Sequence, residues 1–576
     1  MPERATITIS SKPAPAIAHV ARELSQEMGI PVEGAASPSG PEKEILIGTV
    51  EDPFISRILQ EYSLTPEDLG GLGDEGFLIR SRSRGVLVTG NSSDGAANGG
   101  FALLRELRKA YARDPFERKW DVRSTPRFDH RFMYISPLPW GLSKLMVDTW
   151  LLEDWKRHIE FLRSIGTNVL KIYIWPSQFY HPDYAETTRN QWLFEVYRQA
   201  LAYARELGME SLVAFSYDAS PPSVCWEHID LRAVDSLYPA MTMCWSKGKD
   251  EILPFQRYVV EYFRDSVDGY VLWFRDPGGC ECEECSADPS VVILDAIHEY
   301  QGIVEQEPGS RTLNLCTWHF YQIVEQMRRK GDSQFLDRVF SRLSPDTTII
   351  DGHSGMEVLR EARGRGFRTI NFVFFLDPEG GLEDRAIFPR PLLREIDEVI
   401  AESERNRDQG IFAYRLTPYT RFISDYVFFR KGWDPGLSCE EIVHELAAQI
   451  CPDPEGGAEL SRAILLIDRW RQEKSTAQIR EARDIVVSLR GTRSRGFKRL
   501  EILSDCLTIL VMLVEYMESA RADDEEYRAQ FVEEMYGKML EMWIFQAYST
   551  DPQWRSRCKE MISQRIDWWT EGISAL

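Results

Sequence analysis

Short apolar runs recur along the middle of the chain, each followed by a longer segment with helical spacing. The runs at 132–136, 167–175, 211–217, 269–274, 312–318, 347–351, 369–376 and 410–416 are rich in Val, Ile, Phe and Tyr, as buried strands are. Between them, 154–165, 191–207, 254–266, 291–306, 334–340, 356–364 and 392–405 place apolar residues three and four positions apart, which predicts helices. Eight such strands, with seven helices between them, give the roughly eight strand–helix units that close a parallel (β/α)8 barrel. An open doubly wound sheet is the other arrangement of such units, but no glycine-rich dinucleotide fingerprint follows any strand.

The flanks differ. Alternating runs at 5–10 and 44–50, a helical stretch at 14–28 closed by Gly29 and Pro31, and a hairpin pattern at 76–80 and 86–90 predict a small α+β domain. The stretch 91–100, NSSDGAANGG, reads as a loop, with a helix over 101–111 after it. Beyond about residue 420 only helical spacing remains, at 440–450, 458–474, 477–488, 500–523 and 527–548. The predicted organisation is α/β: a small domain over 1–122, a TIM barrel over 123–425 and a helical region over 426–576.

Composition narrows the partners. The 576 residues are ample for a large core, and 43% hydrophobic with 27% charged residues is ordinary for a globular protein. Lys and Arg number 68 against 90 Asp and Glu, a net charge of −22, which disfavours nucleic acid and anionic membranes as partners. The first residues, MPERATITISSKPAP, lack a basic segment followed by an apolar one, and no run is long enough to span a bilayer. The ten cysteines, scattered apart from a cluster at 280–285, do not form a small-domain disulfide framework, so a reducing cytoplasm is expected.

The chemistry gathers where the apolar runs end. The stretch 268–285, DGYVLWFRDPGGCECEEC, is a buried strand that stops at Arg275 and Asp276, turns at Pro277-Gly278-Gly279, and meets three cysteines and three glutamates. Parallel barrels place catalysis at strand C-termini. The acids at such positions are Asp218 after the third strand, Asp276 and Glu281 after the fourth, Asp351 at the sixth, and Asp377 with Glu379 after the seventh. Glycoside hydrolysis needs two carboxylates flanking the bond, one to protonate the leaving oxygen and one to act as nucleophile or base. Any single one of these acids could equally be a loop cap or surface charge.

The run GDEGFLIR…GVLVTGNSSDGAANGGFALLREL resembles the small domain that precedes the catalytic barrel in the α-glucuronidase and β-N-acetylhexosaminidase families. Those domains show an "EGY-x-I … I-x-I-x-G … G-x-x-Y/N-G" pattern. The later phrase ISDYVFFRKGWDP resembles their "N-x-Y…WDP" passage after the barrel. The α-glucuronidase resemblance implies a proton donor after the fourth strand, Asp276 or Glu281, and opposing carboxylates from the sixth and seventh, Asp351 with Asp377 or Glu379. Hexosaminidases carry an adjacent Asp-Glu pair after the fourth strand. Here Pro277 follows Asp276 and the next glutamate is Glu281, a departure that weakens an acetamido-assisted mechanism.

Substrate contacts are expected from several side chains. Arg131, in PRFDHR, resembles the arginine of "PRF-x-x-R" in hexosaminidases, which implies contact with sugar hydroxyls. Arg275 and Arg415 also sit at strand ends, where a guanidinium can grip hydroxyls or clamp a carboxylate, which favours a uronic or other anionic sugar. Pairing with a neighbouring acid is the alternative. Trp175 and Trp318 are the expected sugar platforms, and Asp218, His319 and His353 further contacts.

Cys280, Cys282 and Cys285 form a C-x-C-x-x-C cluster that suits a structural zinc once a fourth ligand joins it, with free thiols as the equal alternative. Cys225, Cys244, Cys316, His319 and His353 are the candidates for that ligand. No cofactor is required by the expected chemistry. The expected partner is an oligosaccharide or glycoside, with self-association into a homo-oligomer left open. The expected function is an exo-acting glycoside hydrolase that releases a terminal sugar, acidic or neutral with the arginines favouring acidic, from a short oligosaccharide or glycoconjugate. The alternatives are an acetamido-assisted hexosaminidase, a non-catalytic carbohydrate-binding barrel, and a metal-dependent lyase or isomerase.

Overall fold

The computed structural model describes residues 5–35, 43–82, 85–112, 114–137, 147–183, 188–232, 242–274, 280, 282–309, 311–317, 320–351, 357–373, 389–415, 417–491, 494–495, 498–519, 524–542, 559–560, 562–563 and 566. Six strands build the first domain: β1 (Ala5–Ser10), β2 (Val32–Ala35), β3 (Lys43–Thr49), β4 (Phe77–Arg82), β5 (Gly85–Gly90) and β6 (Asp121–Ser124). They form one sheet in the order β2-β1-β3-β5-β4-β6. Pairing is parallel from β2 to β5 and antiparallel about β4. The helices Pro15–Met28 and Ser93–Lys109 cover this sheet.

The helix Ser93–Lys109 includes most of the stretch that reads as a loop in sequence. Ser92 caps it, its hydroxyl accepting from the Asp94 and Gly95 amides. The glycines that lower its helix propensity let it lie close on the domain core. A Cβ at Gly99 would stand 2.7 Å from a methyl of Val88, and one at Gly100 would stand 2.8 Å from Val20. Close packing has overridden local preference.

Eight strands then close a barrel: β7 (His130–Ile135), β8 (Val169–Tyr173), β9 (Glu210–Ser216), β10 (Gly269–Trp273), β11 (Thr312–Cys316), β12 (Thr348–Asp351), β13 (Arg368–Val373) and β14 (Gly410–Arg415). Every neighbouring pair is parallel, and β14 pairs with β7 to close the ring. Alternation divides each strand. Phe132, Tyr134, Val169, Tyr173, Leu212, Ala214, Val271, Cys316, Ile350, Ile370, Phe372 and Phe412 fill the interior, while residues such as Ile172, Leu272, Ile349 and Ile411 face the helices.

The helix Pro418–Trp433 follows β14 and packs against β14 and β7, so the barrel's last helix runs through the expected boundary at 425. It is buried along its whole length, packed by Leu393–Asn406, Cys439–Ile450 and Arg499–Glu518. Pro454–Glu473, Thr476–Leu489 and Glu525–Glu541 complete the helical region. Among the described residues no helix is long and apolar enough to cross a membrane.

Candidate active site

The parallel strands point their C-termini to one mouth of the barrel, and the inward alternation decides what lines it. Trp175, Trp273 and Tyr414 are only partly buried and pack on the interior cluster. Tyr173 and Trp175 meet edge to face at 5.1 Å, Tyr134 lies 5.3 Å from Trp273 and 4.9 Å from Tyr414, and Trp273 stands 5.9 Å from Phe372. Trp175 is held by its indole N–H, which donates to the Ser136 hydroxyl at 2.9 Å. The mouth thus has an aromatic floor with half-exposed faces, the surface on which sugar C–H groups stack.

Beneath that floor is a buried lysine. Lys171 is the inward residue at the centre of β8 and has no solvent exposure. Its Nζ lies 4.1 Å from the ring centroid of Tyr134, 4.4 Å from Trp273 and 5.1 Å from Phe412. It has no hydrogen-bond partner among the described residues. Burial pushes the ammonium down to about 7. The ring faces, which attract a cation, work against that push.

The structure sorts the residues singled out in the sequence. Asp218, just past β9, is buried and accepts from the Ser216 hydroxyl at 2.8 Å. Asp351 ends β12 and is buried, but it shares the outward register of Ile349 rather than the interior register of Ile350. Arg275, Asp276, Glu281, Trp318, His319, His353, Asp377 and Glu379 lie outside the described residues.

Two arginines take other roles than expected. Arg131 is the second residue of β7, at the N-terminal end of the barrel, and is fully buried. Its guanidinium pairs with Glu75 at 2.6 Å, donates to the carbonyls of Gly166 and Phe128, and lies 5.0 Å over Trp433. It fastens the first domain, the barrel base and the Pro418–Trp433 helix together, and it is remote from the mouth. Trp433 itself reaches into the first domain's core and donates to Ser124 at 2.8 Å, which gives the WDP passage a structural role. Arg415 ends β14 but faces outward, fully buried, with its Nε donating to Asp425 at 2.5 Å. The neighbouring-acid alternative holds for Arg415, whose acid lies ten residues away on the next helix.

The cysteine cluster gains a member. Cys244 precedes the helix Trp245–Phe263, and its Sγ lies 3.6 Å from those of Cys282 and Cys285. With Cys280 the four sulfurs all lie within 4.8 Å of one another. Cys225 instead bonds the Thr242 carbonyl, and Cys316 is inside the barrel.

No protein-family model and no curated protein sequence matches the chain. Solved structures do match it in fold. A GH115 4-O-methyl-α-glucuronidase with specificity for decorated arabinogalactans aligns with a TM-score of 0.60 at 12% identity, over 98% of this chain and 79% of the other. A GH138 enzyme targeting pectin rhamnogalacturonan II aligns at 0.54 and 10% identity, over 99% of both chains. A mutant β-hexosaminidase from Streptomyces plicatus, solved with its product GlcNAc, aligns at 0.51 and 15% identity, over 80% of this chain and 92% of the other. The chain has the fold of solved glycoside hydrolases.

Sequence reasoning missed Lys171, Tyr134, Tyr173 and Tyr414 as parts of this site. Strict alternation inside each strand marks all of them, since each stands two or four residues from an interior position. A search for acids, arginines and tryptophans at strand ends passes over these tyrosines and over Lys171 in mid-strand.

Proposed function

We propose that the chain is an exo-acting glycoside hydrolase that releases a terminal acidic sugar from a short glycoside. The observation that carries this reading is the aromatic mouth at the strand C-termini with the buried Lys171 amine one layer beneath it, which a carboxylate above would draw to its charged form. Stacking on Trp175 or Trp273 would hold the sugar ring, and a buried positive charge in a low-dielectric interior would favour a carboxylate above it. Asp276 or Glu281, which follow the fourth barrel strand in sequence, would protonate the leaving oxygen. Asp377 or Glu379, after the seventh, would act as nucleophile or base. Asp351 is the weaker candidate for that role, given its outward register. Likeness of fold to enzymes that cleave such bonds supports the class of chemistry and does not choose the sugar. Cytoplasmic residence, as expected from the sequence, would suit short glycosides better than polymers.

A panel of aryl α- and β-uronides, hexosides and hexosaminides tests the reading. Cleavage of a uronide in clear preference to the hexoside of the same configuration is expected. Cleavage of hexosaminides alone would replace the uronide reading with the acetamido-assisted one, and cleavage of none would overturn hydrolysis of simple glycosides.

A further inference from the structure

We propose that Cys244, Cys280, Cys282 and Cys285 bind one Zn²⁺ as a closed, structural tetrathiolate site that ties together two loops of the barrel mouth. Four thiolates around one zinc at about 2.3 Å stand ~3.8 Å apart along the edges of the tetrahedron. The 3.6 Å separations of Cys244 from Cys282 and Cys285, and the 4.8 Å limit that holds for all four, match that figure. The sulfurs are too far apart for a disulfide, and all the described cysteines are free thiols. They are close enough to surround one ion rather than a cluster of several irons.

The surroundings suit a charged site. The Cys285 amide donates to the Cys282 sulfur and the Cys282 amide to the Cys280 sulfur, each at 3.4 Å. The Ser246 hydroxyl lies 3.2 Å from both Cys244 and Cys285. Binding releases the four thiol protons to solvent and leaves a zinc–thiolate unit of net charge −2, which these donors neutralise in part. A full shell of four sulfurs leaves no position for substrate or water, so the role is structural.

The site lies between the loops that leave β9 and β10. Cys244 follows Met243, whose amide donates to the Asp218 carbonyl at 3.1 Å, and Thr242 bridges to Ala219. Cys280, Cys282 and Cys285 follow β10 by seven, nine and twelve residues. In sequence, Asp276 therefore lies between a barrel strand and one zinc ligand, and Glu281 between two ligands. Zinc bound at Cys280 would fix the chain seven residues past β10, and closing a shorter loop around the proposed proton donor costs less entropy.

Metal analysis of the full chain, purified from zinc-supplemented cells without chelator, tests the site. About one zinc per chain is expected, released when a mercurial blocks the thiols. Cys244→Ser and Cys285→Ser should each lose zinc at least about tenfold, while Cys439→Ser, at a buried thiol elsewhere, should keep it. If the first two variants fail to fold, Co²⁺ in place of zinc in the wild type should give thiolate-to-metal charge transfer with the ligand-field bands of a tetrahedral sulfur site. Less than about a tenth of an equivalent of zinc after reconstitution would overturn the proposal. Iron in its place, a disulfide within the four cysteines, or undiminished zinc in Cys244→Ser and Cys285→Ser would overturn it too.

Discussion

The Nζ of Lys171 lies 4.1 Å from the ring centroid of Tyr134, in the fully buried centre of the barrel. A cation there costs stability, and the cost has a definite pH dependence. Burial lowers the folded lysine from its ordinary 10.5 to about 7, so the unfolded chain holds the extra proton between those values. The penalty is complete below pH 7 and disappears as pH rises through the unfolded value. Lys171→Met should therefore stabilise the chain, by an upper figure of roughly 5 kcal/mol below pH 7, and the gain should fade towards pH 10. Urea unfolding at pH 6 and pH 9.5 checks it. A loss of stability, or equal gains at both pH values, would contradict the account.

Trp175 offers a half-exposed face at the mouth, fixed by Ser136. Trp175→Ala should raise KM roughly fivefold, the equivalent of about 1 kcal/mol of stacking, with a smaller change in kcat. Trp226, 54% exposed on a short helix and not among the residues packed on the interior cluster, should change KM much less on replacement by alanine. Steady-state kinetics on the substrate found in the glycoside panel separates the two.

Arg131 joins three parts of the molecule at the base of the barrel. Arg131→Met takes from Glu75 its charged donor, leaving Asn168, and leaves the Gly166 and Phe128 carbonyls without Arg131, and should cost roughly 3 kcal/mol of stability. The fraction that remains folded should keep kcat/KM within about twofold of wild type. A large kinetic loss at unchanged stability would restore the sugar-gripping role expected from its motif.

The fully buried Arg415–Asp425 pair gives a matching test on the other side of the fold. Asp425→Ala should destabilise by roughly 3–5 kcal/mol, because it strands a buried guanidinium. Asp121→Ala, which removes an acid 66% exposed from Arg80, should change stability by no more than about 1 kcal/mol. Denaturant midpoints measure both.

All eight barrel strands were legible as apolar runs, because buried parallel strands need β-branched and aromatic residues on both faces. The helix Ser93–Lys109 was not fully legible, since its glycines serve contacts with Val20 and Val88 that only the folded chain supplies. Ion-pair roles were illegible for a similar reason. The acid that occupies Arg131 stands 56 residues away, and nothing local announces it. The fourth cysteine was one of five candidates in sequence, and the hairpin-like return of the chain from Asp218 to Met243 is what selects Cys244.

The central claim is two-carboxylate hydrolysis at the C-terminal mouth, with Asp276 as the first candidate proton donor. The most direct test compares kcat/KM of wild type and Asp276→Ala on an aryl uronide with a poor leaving group. The account predicts a loss of about a hundredfold or more, shrinking on an activated leaving group that needs little protonation. Equal activity of the two proteins on both substrates would contradict it.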